Sequence, residues 1–168
     1  DTPDVQQLAE KQFSSATNMT EQESALVTLS KSTAASGQIA LDAFYERFKD
    51  DVNVVDTWLN VSASRKSADP VAHVKELMTH EAFDITNPNK VRSVIGGFLS
   101  DPRVFHNKDG SGYKFLADMV IRLNELNPST GARLVDSLTK FKKYDGDRQT
   151  LMIGELKRIM ATPKLDKS

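Results

Sequence analysis

The feature that most constrains the fold is a helix-start signal that keeps returning in one chemical form. An Asp or Asn stands directly before proline at Asp69-Pro70, Asn87-Pro88, Asp101-Pro102 and Asn127-Pro128. The Asx oxygen accepts from backbone N–H groups that a first helical turn leaves unpaired, and the proline that follows has its φ preset for that turn. Thr20 with Glu23 adds a capping box, T-x-x-E, ahead of an apolar-periodic run. Alternating β-branched runs bounded by Asn-Gly turns do not occur. In Val52 to Leu59, the side chains Val54, Val55, Trp58 and Leu59 recur at helical spacing.

Later segments follow the same pattern. Leu116, Met119, Val120 and Leu123 form one apolar stripe, Leu134, Val135, Leu138 and Phe141 a second, and Met152, Leu156, Ile159 and Met160 a third. Connections as short as Leu126-Asn127-Pro128 and Tyr144-Asp145-Gly146 cannot span a helix length, so these helices must alternate in direction. The pattern predicts about eight to ten helices in antiparallel pairs. NPNKVRSVIGGF and NPSTGARLVDSL share a cap, a proline, an arginine near the second turn and an apolar stripe, and start 40 residues apart. That period is the spacing of armadillo or HEAT repeats, and it favours a solenoid-like stack over an irregular bundle. Gly96-Gly97 interrupts a helical segment at a cost of about 1 kcal/mol each relative to alanine, which predicts close approach of a neighbouring helix. A helical body over 1–161 and a frayed tail over 162–168 complete the expected organisation.

Composition removes whole classes. With no cysteine, disulfide scaffolds, thiolate zinc sites and cysteine nucleophiles are excluded. A net charge of −1 removes the electrostatic case for a nucleic-acid partner, and no apolar run approaches the ~18 to 20 residues of a membrane span. A reducing, cytoplasmic setting is the expectation. The chain starts at Asp1 without a targeting signal, which reads as a processed chain or an excised piece.

Several constellations invite chemistry. His80-Glu81-Ala82-Phe83-Asp84 imitates the H-E-x-x-H helix of zinc peptidases, but the fifth position is Asp84 and the string straddles a helix end. His73 and His80 share a helix face only at a separation of about 10.5 Å, too far for one ion. Asn107 to Asp118 has the layout of a calcium loop, with Lys114 where an apolar residue is usual and Asp118 where a glutamate is usual. The competing reading is a tight turn at Asp109-Gly110, a cap at Ser111, and Tyr113, Phe115 and Leu116 anchoring a helix start. Gly110-Ser111-Gly112 lacks the rest of a phosphate loop, and no nucleophile elbow stands near His106. Lys140, Lys142, Lys143, Arg148, Lys157 and Arg158 interleave with Asp136, Asp145, Asp147 and Glu155, the pattern of a mixed solvated face. Arg92 and Arg133 each sit in the opening turns of an Asn-Pro-capped helix. They suit either the grip of an anion or carboxylate, or ordinary surface ion pairs.

Four blocks in order, NPNKVRSVIGGF, VFHNKDGSGYKFL, LNELNPSTGARL and KKYDGDRQ, resemble the C-terminal helical domain of bacterial aminopeptidase N, the zinc-dependent alanyl aminopeptidases. Ala16 to Thr20 and the Trp58 region extend the likeness over most of the chain. The resemblance implies an all-α, right-handed superhelical stack of antiparallel helix pairs. It also implies that this chain is the non-catalytic part of a hydrolase, because H-E-x-x-H and G-x-M-E-N, the family's zinc-binding and amine-gripping motifs, are missing. Zinc would then belong to the parent enzyme, with no cofactor in this piece. The expected partners are the catalytic domain of the same polypeptide and a peptide substrate. By the same carry-over, the domain caps the catalytic region and encloses a peptide chamber, with Arg92 and Arg133 turned toward it. A free-standing helical adaptor that binds a partner peptide is the alternative, and self-association through an uncovered apolar patch is expected of the isolated piece.

Overall fold

The computed structural model describes residues 3–31 and 35–163. Among the described residues ten α-helices follow one another: α1 (Pro3–Ser15), α2 (Met19–Ser30), α3 (Ala35–Phe48), α4 (Val52–Ala63), α5 (Pro70–Leu77), α6 (Pro88–Leu99), α7 (Pro102–Phe105), α8 (Ser111–Leu126), α9 (Pro128–Thr139) and α10 (Gly146–Met160). A 3-10 turn, Lys140–Lys143, lies between the last two. The described residues contain no strand, and none of their helices is long and apolar enough to cross a membrane.

All four Asx-Pro pairs open helices as expected. Asp69 accepts from the Ala72 N–H at 2.9 Å, Asn87 from Asn89 at 2.9 Å, Asp101 from Arg103 at 2.9 Å and Asn127 from Thr130 at 3.2 Å. The capping box is displaced. Asn18 caps α2, accepting from the Glu21 N–H at 2.9 Å, and Thr20 lies inside the first turn. An Asx oxygen on a short stem reaches the N3 amide as well as Thr does, so the earlier residue wins.

The chain divides into two compact units, residues 1–84 with 92–100, and residues 85–91 with 101–168. In the first, α1 packs on α2 and α3, α2 on α3 and α4, and α4 on α3 and α5. Its core holds Leu26 and Leu29 of α2, Leu41 and Phe44 of α3, Leu59 of α4, Val74 of α5, and Ile95 and Phe98 of α6, all at most 2% exposed. Gly97 explains the glycine pair: a Cβ there would stand 2.2 Å from the Asn60 carbonyl oxygen and 2.8 Å from the Ala63 Cβ. Helix α6 therefore lies backbone to backbone against the end of α4, and Asn60 Nδ2 donates to the Ser93 carbonyl at 3.0 Å across that contact.

In the second unit, α8 packs on α9, and α10 on both. One residue, Asn127, joins α8 to α9, serving as C-cap of one and N-cap of the other, so the chain must double back. Leu151 of α10 meets Gly110 at the start of α8, while Arg158 reaches Lys114 and Asp118 one and two turns further on; α10 therefore runs parallel to α8. Tyr113, Leu116, Leu123, Leu138 and Met152 are fully buried. The third stripe is narrower than its spacing predicts, since Met160 is 77% exposed. Of the expected tail, Thr162 still bonds back to the Arg158 carbonyl, and residues 164–168 lie outside the described residues.

Candidate functional site

Arg92 lies in the second turn of α6 and Arg133 in the second turn of α9, both exposed. The first belongs to one compact unit and the second to the other. Each occupies the polar side of a helix whose opposite side is built into a core, Val91, Val94 and Ile95 beside Arg92 and Leu134 and Leu138 beside Arg133.

The zinc-like string falls beyond a helix rather than across its end. Helix α5 stops at Leu77, and His80 to Ala82 are turn and bend residues. His80 Nδ1 accepts from the Ala82 N–H at 3.1 Å, which assigns the proton of the neutral ring to Nε2. Its ring stands edge-on to Tyr45 at 4.8 Å and tilts against Trp58 at 4.9 Å. Glu81 accepts from the Tyr45 hydroxyl at 3.0 Å, and burial followed by this carboxylate raises the tyrosine's pKa. Trp58 completes the group, donating from Nε1 to the Leu41 carbonyl at 2.9 Å. These contacts join α3, α4 and the α5–α6 connection. No set of three His, Asp or Glu among the described residues is placed to hold a metal.

The calcium-like loop is resolved in favour of a turn. Asp109 Oδ1 accepts from the Ser111 N–H at 2.8 Å, and Gly110 takes φ 72°, a conformation glycine adopts without strain. Gly110, not Ser111, is the N-cap of α8; Ser111 is already helical. Asp118, the expected twelfth ligand, is taken by two cations, Lys114 at 2.9 Å and Arg158 at 2.7 Å. Partial burial raises its pKa, but the hydrogen bonds from Lys114 and Arg158 outweigh that and leave it lowered. The mixed basic face behaves as read: Lys140 pairs with Asp136 at 2.7 Å, Arg148 with Asp145, and Arg158 with Glu155 at 2.6 Å.

A second aromatic cluster gathers beside this turn. His106 Nδ1 lies 2.8 Å from the hydroxyl of fully buried Tyr113, and its ring stacks on Tyr144 at 4.0 Å. Arg148 donates from Nε to the His106 carbonyl at 2.8 Å and closes the corner between α7 and α10. Burial, then the Arg148 charge, lowers the histidine's pKa, and burial raises that of Tyr113. The short His106–Tyr113 contact ties the end of α7 to the first turn of α8. Neither cluster was legible as a site from spacing, because Tyr45 meets Glu81 across 36 residues and Arg148 meets His106 across 42.

The chain belongs to the family described as "Domain of unknown function (DUF3458_C) ARM repeats", which matches residues 1–168. It is 37% identical over 161 residues to aminopeptidase N of Haemophilus influenzae, covering 95% of this chain and 18% of that protein. It is 37% identical over 163 residues to aminopeptidase N of Escherichia coli, covering 94% and 18%. Caulobacter vibrioides aminopeptidase N matches at 33% over 157 residues. Among solved structures, Legionella pneumophila aminopeptidase A, crystallised in complex with aspartic acid, superposes with a TM-score of 0.88 at 35% identity, covering 95% of this chain and 19% of that one. The chain thus spans about a fifth of the length of the relatives it matches, and the likeness to aminopeptidase N read from its sequence blocks holds.

Proposed function

We propose that this chain serves as the non-catalytic C-terminal domain of a zinc aminopeptidase. In this reading it caps the catalytic region of the same polypeptide and walls a chamber through which peptides reach the metal. The observation that carries it is the end-to-end match to the ARM-repeat family together with relatives named aminopeptidase N, of which this stretch is a small part. Zinc, the peptide-cutting residues and a cytoplasmic setting belong to the parent enzyme in this proposal. Arg92 and Arg133 turn their guanidiniums to the chamber and steer the C-terminal carboxylate of an entering peptide.

Uncovered apolar side chains support a covering partner: Leu8 and Ile39 are each 67% exposed and Val52 is 62% exposed. In isolation these exposed side chains favour self-association of the fragment. The test has two arms. The pure chain, free of tag and of added peptidase, leaves an alanyl chromogenic substrate intact; hydrolysis by it would overturn the proposal. In the polypeptide that joins this domain to its catalytic region, Arg92→Ala with Arg133→Ala raises KM for a tripeptide about threefold to tenfold while kcat on the small chromogenic substrate holds. An unchanged tripeptide KM removes the role of the two arginines. A concentration-independent complex between this chain and an unrelated peptide, with no association to a catalytic region, would favour the adaptor alternative instead.

A further inference from the structure

One cavity within the first compact unit is left out of that account. It lies among α3, α4 and α5, encloses about 490 Å³ and has Trp58 in its wall. Arg65, just after α4, is half-buried against it, and its guanidinium makes a single hydrogen bond, from Nη1 to the neutral amide oxygen of Gln38 at 2.6 Å. Among the described residues no carboxylate pairs with this cation. Its Nε is sealed from solvent with no acceptor, and so is the Oγ of Ser62 one turn earlier, a residue only 4% exposed. A half-buried guanidinium whose hydrogen-bond partner is a neutral amide keeps its positive charge available, and an anion is the group that charge attracts most strongly.

The rest of the lining says what kind. Gln38 passes its own N–H to Asp42 Oδ1 at 2.7 Å, which holds a cation and a carboxylate one amide and two hydrogen bonds apart. Glu76 adds a second carboxylate to the same lining. Two negative side chains repel a dianion such as phosphate and attract an ammonium group. We infer that this cavity binds a small zwitterion with one carboxylate and one ammonium, the class of free amino acids and dipeptides. The carboxylate pairs with Arg65 through Nη2, and the ammonium is received by Asp42. The cavity is lined within residues 38 to 80 and needs neither zinc nor a catalytic region, so it stands or falls apart from the function proposed above.

Trp58 is the only tryptophan of the chain and reports on the cavity directly. The full 168-residue chain is titrated with glycylglycine, at constant ionic strength, while tryptophan emission is followed. A saturable change is expected below about 10 mM, with acetate, ethylammonium and inorganic phosphate each binding about tenfold more weakly or not at all. Arg65→Gln weakens the dipeptide about tenfold or more, and Asp42→Asn weakens it several-fold. No saturable change with glycylglycine, unaltered affinity in a folded Arg65→Gln, or phosphate binding as tightly as the dipeptide would each overturn the inference. Should circular dichroism show that Arg65→Gln does not fold, Asp42→Asn and the comparison of glycylglycine with acetate decide it.

Discussion

Each compact unit has a histidine packed among aromatic rings, and the two are built differently. In the first, Trp58 is anchored to a backbone carbonyl, while His80 takes its hydrogen bond from its own turn and Tyr45 points its hydroxyl to an exposed carboxylate. In the second, the histidine bonds directly to a fully buried tyrosine hydroxyl, and Arg148 locks the backbone behind it. The first cluster borders the cavity beside Arg65; the second closes a corner. Local geometry of the polar partner, not the residue types, separates a wall that can face a ligand from a joint that holds helices.

The largest test of the packing behind this contrast is in the first unit. Gly97→Ala places a Cβ against the backbone of α4, where no flexible side chain can give way, and should cost about 3 kcal/mol or more. Gly154→Ala, with nothing within 4 Å of its Cβ, should instead stabilise α10 by up to about 1 kcal/mol. Chemical denaturation of both variants measures the difference in sign. Equal effects would show that α6 does not lie against α4 as described.

Next in size is the closed corner. Tyr113→Phe removes the hydroxyl that serves His106 Nδ1 and should cost about 1 to 2 kcal/mol, whereas Tyr45→Phe, which loses only an exposed partner, should cost about 0.5 kcal/mol. The corner also responds to acid. His106 has a folded pKa below its unfolded value near 6.5, so the unfolded chain binds the proton more readily. Its contribution is whole above pH 6.5 and is lost as pH falls through the folded value. Thermal melts between pH 7.5 and 5 should therefore show a fall in Tm that shrinks in His106→Gln; a parallel fall in that variant would assign the loss to other groups.

The smallest effect lies on the surface of the second unit. Asp118→Asn leaves Lys114 and Arg158 without their shared carboxylate, yet both partners are partly in water, so the cost should stay within about 1 kcal/mol. Because Asp118 has a lowered pKa, this contribution is present above about pH 4 and disappears as pH drops through the folded value. Calcium should leave the melt unmoved, since the Asp118 carboxylate its loop would need is already held by those cations and Asp109 is used by the turn; a calcium-dependent rise in Tm would break the turn reading.

Helix starts were legible because their chemistry is local: Asp69, Asn87, Asp101 and Asn127 each satisfy an amide two or three residues away. Apolar stripes were legible for the same reason, as Leu116, Met119, Val120 and Leu123 all reach the core. Where two local solutions compete the reading slipped: Asn18 displaced Thr20 and Gly110 displaced Ser111, each by choosing among neighbouring residues able to do one job. Gly97 shows the boundary between the two kinds of information. Its spacing announced that something comes close, and only the folded chain names Asn60 as the neighbour.

From its residues alone this protein's helical class, its caps, its repeat character and its likeness to aminopeptidase N could be read, since each depends on order along the chain. Tertiary structure alone decided which side chains meet: Tyr45 with Glu81, Arg148 with His106, and the half-buried Arg65 with only a neutral amide beside it. Pairing over such separations is paid for by burial of whole helix faces, a collective quantity that no short stretch of sequence carries.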